Sequence, residues 1–400
     1  MTDVENLEKM IADVFWVEKK IKNKNNTNRC IQPLNLDNGQ KISFFAYNFM
    51  NRLSRLNEKF KGSSEDIRNI CEKVKNIGET HNSQWAGPYS ELVALDFYTQ
   101  FSEFFDVSYI NILDIRQHKK SIPAKIGQKE LIDIDLCLHL KNMDIFTDVK
   151  SFNCIHMNIL DEIFKKVEKY ALETLGKLIL VGVDNLSSLD YMEVKNHLGY
   201  EKNKIFQALK IAVKENRRNV NYESKDGIKF NFKIEYSNML STVKDYSPFA
   251  MAEAYKYKFL DYGNKLIDNE YSVITIVKNP WFNEETVDFG DFNNLFYRSL
   301  SRRTFMELFK MDNFAREVSN FYSQSDLSVS DISKSLAGIV FIDDNSAYTK
   351  SRENLYDAYF YLNPNYANKE PLTIRKIEKF FHNSFLSQIK DFDDFKWDNY

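Results

Sequence analysis

Apolar positions recur at helical spacing through much of the first eighty residues. Leu7, Ile11, Val14, Phe15 and Val17 share one face of a helix expected from Asp3 to Ile21. A basic, Asn-rich break follows at 22–29, and the spacing predicts a second helix from Phe44 to Phe60. Ser63-Ser64-Glu65-Asp66 carries the capping chemistry that starts a third. Gly87-Pro88-Tyr89-Ser90 reads as a turn with Ser90 as N-cap. It opens a helix from Glu91 to about Phe104, with Leu92, Val93, Leu95, Phe97 and Phe101 on its apolar positions.

The period then falls to two. Residues 109–115 suit a strand, and a polar loop follows. Between 131 and 152 the alternation predicts two strands joined by a turn at Asn142. In the first, Ile132, Ile134, Leu136 and Leu138 should face one side, and Asp133, Asp135 and Cys137 the other. In the second, Ile145, Thr147 and Val149 should oppose Phe146, Asp148 and Lys150. Helical spacing returns over 158–175 and stops at Gly176. LILVGV at 178–183 is a continuous apolar run, of the kind buried on both faces in a covered sheet.

Beyond 184 the chain reads as an inserted module. It has a basic helix at 201–218, a hairpin into 231–236 and a helix at 248–267. The last third returns to α/β character. Strands at 271–278 and 337–343 would either extend the first sheet or build a second, with helices at Phe292–Met311 and near 371–389. The resulting divisions are a helical region at 1–85, a core at 86–185, a basic helix and hairpin insertion at 186–268, and an α/β region at 269–400.

Composition narrows the classes. A chain of 400 residues that is 43% hydrophobic and 14% aromatic has ample material for buried cores, so wholesale disorder is excluded. A formal net charge of −3 excludes a globally basic coat for nucleic acid, while leaving local basic faces open. The 4 cysteines include no CxxC pair, which argues against a zinc knuckle or redox motif and fits a reducing compartment. MTDVENLEKM has no apolar signal core, and no stretch approaches the roughly 20 apolar residues of a spanning helix. The expectation is a cytoplasmic protein without a membrane partner.

The candidate chemistry lies on the paired strands. Asp135 and Asp148 should meet across the hairpin, and two adjacent carboxylates repel unless a cation joins them. Oxygen-only donors favour a hard ion, Mg²⁺ or Mn²⁺. Lys150 shares the face of Asp148, where an ammonium can orient water or offset phosphate charge. Such a set suits phosphodiester hydrolysis.

At these residues the sequence resembles the PD-(D/E)xK nuclease superfamily, the restriction-endonuclease-like fold. The family's pattern is an acid on the second core strand and a (D/E)-x-K triplet on the third. Asp135 and Asp148-Val149-Lys150 match those places, although Ile134 stands where the family has proline. Asp133, two residues earlier on the same face, is the alternative ligand or an accessory acid; Asp135 is preferred because an apolar run follows it directly. The resemblance implies an αβββαβ core within an α/β fold. It implies metal binding by Asp135, Asp148 and Glu91, the last on the preceding helix, and a water-orienting role for Lys150. Some branches add a QxxxY motif on the next helix. Tyr170 matches it, while Lys166 replaces the glutamine.

What the resemblance implies is a Mg²⁺- or Mn²⁺-dependent nuclease acting on DNA more than RNA, in a restriction or anti-phage setting, as a homodimer or with a partner subunit. The alternative is a silent nuclease-like scaffold that binds nucleic acid or proteins. Lys210, Lys214, Arg217 and Arg218 are candidates for phosphate contact, with a solvated helix face as the plain alternative. His118, His139 and His156 read as incidental, and Cys137 as no nucleophile, because no His/Asn arrangement with it is readable.

Overall fold

The computed structural model describes residues 44–79, 86–101, 107–111, 118–119, 131–132, 134–140, 143–152, 155–183, 191–225, 227–236, 252, 271–279, 292–310, 336–349, 351–366, 389–393 and 395. The helices expected at 3–21, 248–267 and 371–389, the turn at Asn142 and Asp133 lie outside these residues, apart from single positions. The chain divides into two compact units. The first comprises Met1–Phe152, Leu260–Glu284 and Leu308–Tyr400; the second comprises Asn153–Phe259 and Glu285–Glu307.

In the first unit, α1 (Phe44–Phe60) forms where the apolar spacing predicts it, and α2 (Ser64–Glu79) starts where the capping residues place it. Phe45, Phe49, Leu53, Leu56 and Phe60 make the buried stripe of α1, and Ile67, Ile70, Val74 and Ile77 that of α2. Ser63 Oγ accepts the Asp66 N–H at 3.3 Å, as an N-cap should. The helix α3 (Ala86–Phe101) starts earlier than the turn reading placed it. Gly87 and Pro88 sit inside its first turn, where proline's missing N–H costs nothing. Ser90 is therefore buried in the helix, and its hydroxyl donates to Asn279 Oδ1 at 3.4 Å.

The sheet contains β1 (Val107–Asn111), β4 (Leu136–Leu140), β5 (Met143–Ser151), β9 (Tyr271–Lys278), β10 (Leu336–Asp344), β11 (Tyr356–Leu362) and β12 (Ile389–Asp393), in that spatial order. A short pair, β2 (His118–Lys119) with β3 (Leu131–Ile132), stands apart. β1, β4 and β5 run antiparallel in succession; β5, β9 and β10 run parallel; β11 is antiparallel to β10, and β12 is parallel to β11. Strands 271–278 and 337–343 thus extend the first sheet. The fold is mixed α/β.

One face of the sheet carries Ile145, Val149, Val273, Val277, Val340, Ile342, Ala358 and Phe360 into a common core with α1, α2 and α3. Tyr98 of α3 shares a hydrogen bond of 2.8 Å with Thr275, which shares another of 2.7 Å with Thr147. The opposite face carries Phe146, Asp148 and Lys150 on β5, as the alternation predicts, with Ile274 and Ile276 on β9 and Ile339 and Phe341 on β10. Gly338 is required where β10 meets β11: a Cβ there would stand 2.7 Å from the Tyr361 carbonyl oxygen.

A buried polar network ties the helices to the ends of β10 and β11. Arg52, 0% exposed, donates to Tyr356 Oη at 2.9 Å, Tyr89 Oη at 3.1 Å and Asp344 Oδ1 at 3.1 Å. Burial works against its charge, but Asp344, Tyr356, Tyr89 and Asp96 outweigh that and hold its proton more tightly than usual. Arg55 clasps both oxygens of Asp96 at 2.9 and 2.7 Å.

The second unit holds α4 (Ile155–Leu175), β6 (Ile179–Val183), α5 (Tyr191–Lys214), β7 (Asn219–Glu223) and β8 (Lys229–Tyr236). The helix α6 (Phe292–Lys310) crosses the division in sequence. Gly176 ends α4 in the left-handed region at φ 62°. β6 corrects an expectation. It pairs with β8 in a three-stranded sheet ordered β6-β8-β7, and the strand beside β5 is β9. Ile179 and Val181 are buried while Leu178 is 45% exposed, so the apolar run has one buried face and only resembles a doubly covered strand.

Candidate functional site

β5 is an interior strand, held between β4 and β9. Leu136 pairs with Thr147, and the register continued one residue would set Asp135 opposite Asp148. The backbone bends at Asp135, before β4 begins. Ile134 accordingly packs with Cys137 and Phe146, and not on the face of Leu136 and Leu138 where unbroken alternation would put it. Past this bend the Asp135 side chain reaches across, and Oδ2 accepts the Val149 N–H at 2.7 Å. That amide joins Asp148 to Val149, so by peptide dimensions the oxygen lies within about 5 Å of the Asp148 Cα.

Asp148 is 5% exposed, and its Oδ2 stands 2.6 Å from Lys150 Nζ. Asp148 and Lys150 share a face two positions apart, with Val149 between them turned into the helix-side core. The Lys150 side chain is 27% exposed, so the ammonium lies where solvent and core meet. The structure thus gathers Asp135, Asp148 and Lys150 at one end of the β4–β5 pair.

Glu91 is placed differently. Its Oε2 is engaged by Lys73 of α2. The helix that carries it packs on the Thr147 and Val149 side of the sheet, opposite Asp148 and Lys150. Lys166 and Tyr170 lie in the second unit. Lys166 pairs with Glu162 at 2.9 Å, and the Tyr170 ring lies under Lys210 Nζ at 4.6 Å. Lys214, Arg217 and Arg218 are exposed at the end of α5 and just beyond it, where cations complement the helix dipole; Arg217 pairs with Glu215 at 2.8 Å.

Two further groups escaped the sequence reading. Lys278 and Asp343 face each other across β9 and β10 at 2.7 Å, on the face and at the strand ends that carry Lys150. Asp343 is buried, and Phe152 packs edge-on against Phe341 on the same face. Carboxyl ends of parallel strands are where open α/β sheets place their ligands. The other group joins Cys137 and His139 of β4 to Asp144 of β5. Both depend on pairing between distant or register-matched strands, which local spacing does not reveal.

Asp135 and Asp148 would offer a hard divalent ion oxygen donors alone, with the Lys150 ammonium beside Asp148. No protein-family model, curated protein or solved structure matches this chain. No helix among the described residues is long and apolar enough to cross a membrane.

Proposed function

We propose that the chain is a metal-dependent nuclease of the restriction-endonuclease-like type, hydrolysing phosphodiester bonds in DNA. The observation that carries this reading is the meeting of Asp135, Asp148 and Lys150 at the end of β4 and β5. The sheet supports it as well. The antiparallel β1-β4-β5 succession is in keeping with the three consecutive strands of that core, while β6, expected to close it, belongs to another sheet and β9 lies parallel beside β5. Restriction or anti-phage defence is the setting such an enzyme suits, and a homodimer or a partner subunit would give it two cutting sites.

Asp135 and Asp148 would hold Mg²⁺ or Mn²⁺, which supplies an acidified water and screens the phosphate charge. Lys150 has two tasks. It neutralises Asp148 before the ion arrives, and afterwards its ammonium can orient the attacking water or hold a phosphate oxygen. Lys278, paired with Asp343, sets a second ammonium at the adjacent strand end. Glu91 is left outside this set because it stands on the other side of the sheet with Lys73.

The test is cleavage of plasmid DNA and of RNA by purified protein with Mg²⁺ or Mn²⁺. Asp148→Asn and Lys150→Ala should abolish cutting while circular dichroism stays unchanged. The reading fails if neither substrate is cut, or if the variants cut equally well. A second reading, the silent scaffold, draws on the Asp148–Lys150 pair itself, because an acid already neutralised by lysine needs no ion. That reading predicts no Mn²⁺ binding at Asp148 in a metal titration.

A further inference from the structure

We infer that Cys137, His139 and Asp144 form a three-ligand site for a zinc-like divalent transition ion, separate from the Asp135–Asp148 pair. This goes beyond the nuclease reading and does not depend on it.

The site is built by the strands. Cys137 and His139 are two apart on β4 and therefore share a face. Asp144 of β5 is the register partner of His139, and Phe146 is the partner of Cys137. The three ligand atoms all lie within 4.8 Å of one another. His139 Nδ1 is 3.8 Å from Cys137 Sγ and 2.9 Å from Asp144 Oδ1. A tetrahedral zinc ion with bonds of about 2.0–2.3 Å separates its ligand atoms by roughly 3.3–3.6 Å. The sulfur–nitrogen spacing is already near that, and the nitrogen–oxygen spacing needs to open by about half an ångström.

The geometry discriminates between chemistries. In a nucleophile triad one ring nitrogen faces the thiol and the other faces the carboxylate. Here Nδ1 alone faces both. Three donors converging on one point suit an ion, which takes the place of the proton that Nδ1 and the carboxylate share. A thiolate and an imidazole select zinc-like ions over Mg²⁺. Cys137 is buried, while the His139 and Asp144 side chains are 19% and 41% exposed, so an ion has a route in from solvent. Three protein ligands leave one coordination position for water or a substrate atom, the arrangement of reactive rather than purely structural zinc sites. The site lies on the sheet face of Asp148, which is four residues further along β5 than Asp144.

The experiment titrates chelator-treated, full-length protein with Co²⁺ and follows thiolate-to-cobalt charge-transfer absorption, then displaces the cobalt with Zn²⁺. One Co²⁺ should bind per chain with that absorption. Cys137→Ser should lose the band, and Asp144→Asn should weaken binding by at least about tenfold, the range that even supporting residues of metal sites command. Asp148→Asn should leave band and affinity unchanged, which separates this site from the proposed Mg²⁺ pair. The inference is overturned if no band forms, if the band survives Cys137→Ser, or if Asp144→Asn binds as tightly as the parent. Should Cys137→Ser unfold, Asp144→Asn decides alone, because Asp144 is too exposed to be needed for folding.

Discussion

Asp135 Oδ2 accepts the backbone N–H of Val149 at 2.7 Å, so one candidate ligand is positioned by the strand that carries the other. The carboxylate stands where a β4 carbonyl would have continued the ladder had the chain not bent. Two roles are therefore joined in one side chain, and they can be separated. Asp135→Asn keeps an oxygen for the Val149 amide and loses the charge. It should retain the melting temperature within a few degrees while cutting falls by more than the roughly 10–100-fold typical of supporting residues. Asp135→Ala strands the amide as well and should also lose about 1–3 kcal/mol of stability in urea unfolding. Equal activity in Asp135→Asn and the parent would remove Asp135 from the metal set.

Glu91 gives the opposite expectation. Its carboxylate is paired with Lys73, and α3 lies across the sheet from Asp148. Glu91→Gln should leave the rate and the Mg²⁺ dependence of cleavage unchanged and cost about 1 kcal/mol or less, as partly exposed ion pairs do. A Mg²⁺ titration of cleavage in this variant checks it. A marked shift to higher Mg²⁺ would return Glu91 to the site.

Much of this arrangement was legible from residue order. Alternation placed Asp148 and Lys150 together on β5 because a strand's period of two survives any tertiary context that keeps it a strand. It failed at Ile134, two residues before β4 begins, because the bend at Asp135 has no signature in polarity. The run at 178–183 was ambiguous for a related reason: Leu178, Leu180 and Val181 are equally apolar whether one face or two is covered. Lys278–Asp343 needed the order of distant strands, which follows from long-range pairing, whereas Cys137–His139–Asp144 needed only the register of the β4–β5 hairpin, which alternation alone does not fix. Arg52 was invisible as a core residue, since its burial depends on Asp344, 292 positions away.

That burial makes Arg52 a sharp probe of stability. Arg52→Met removes the guanidinium and leaves Asp344 facing Tyr89 and the Ser346 N–H with its charge uncompensated. Breaking one side of such a pair costs about 3–5 kcal/mol. Arg52→Met combined with Asp344→Asn should recover part of the loss, because the stranded charge is gone. Urea unfolding of the two variants measures this. If the double variant is the less stable by the sum of its parts, the penalty lies in lost hydrogen bonds and not in the buried charge.

Tyr98 links the same core to the candidate site. Its hydroxyl meets Thr275, and Thr275 meets Thr147, the residue before Asp148. Burial disfavours the phenolate and raises the Tyr98 pKa above its ordinary 10.0, with the Thr275 hydrogen bond pulling weakly the other way. The sign follows from which state holds the proton. Below pH 10 the phenol is protonated folded and unfolded, so its contribution is fully present. As pH rises past 10, the unfolded chain ionises while the native one keeps its proton, and stability falls by up to about 1.4 kcal/mol per pH unit for this group. Tyr98→Phe cannot ionise. It should be less stable than the parent by about 1 kcal/mol at pH 7, the worth of one hydrogen bond. Above pH 10 the gap should narrow, because only the parent still carries the slope from Tyr98. Tyr356, also raised by burial, keeps its own slope in both proteins and cancels from the difference. Urea unfolding of the pair from pH 7 to 11 reads this directly, and a gap that stays constant across the range would mean that water reaches the phenol and that the α3 contact with β9 is looser than the bond to Thr275 implies.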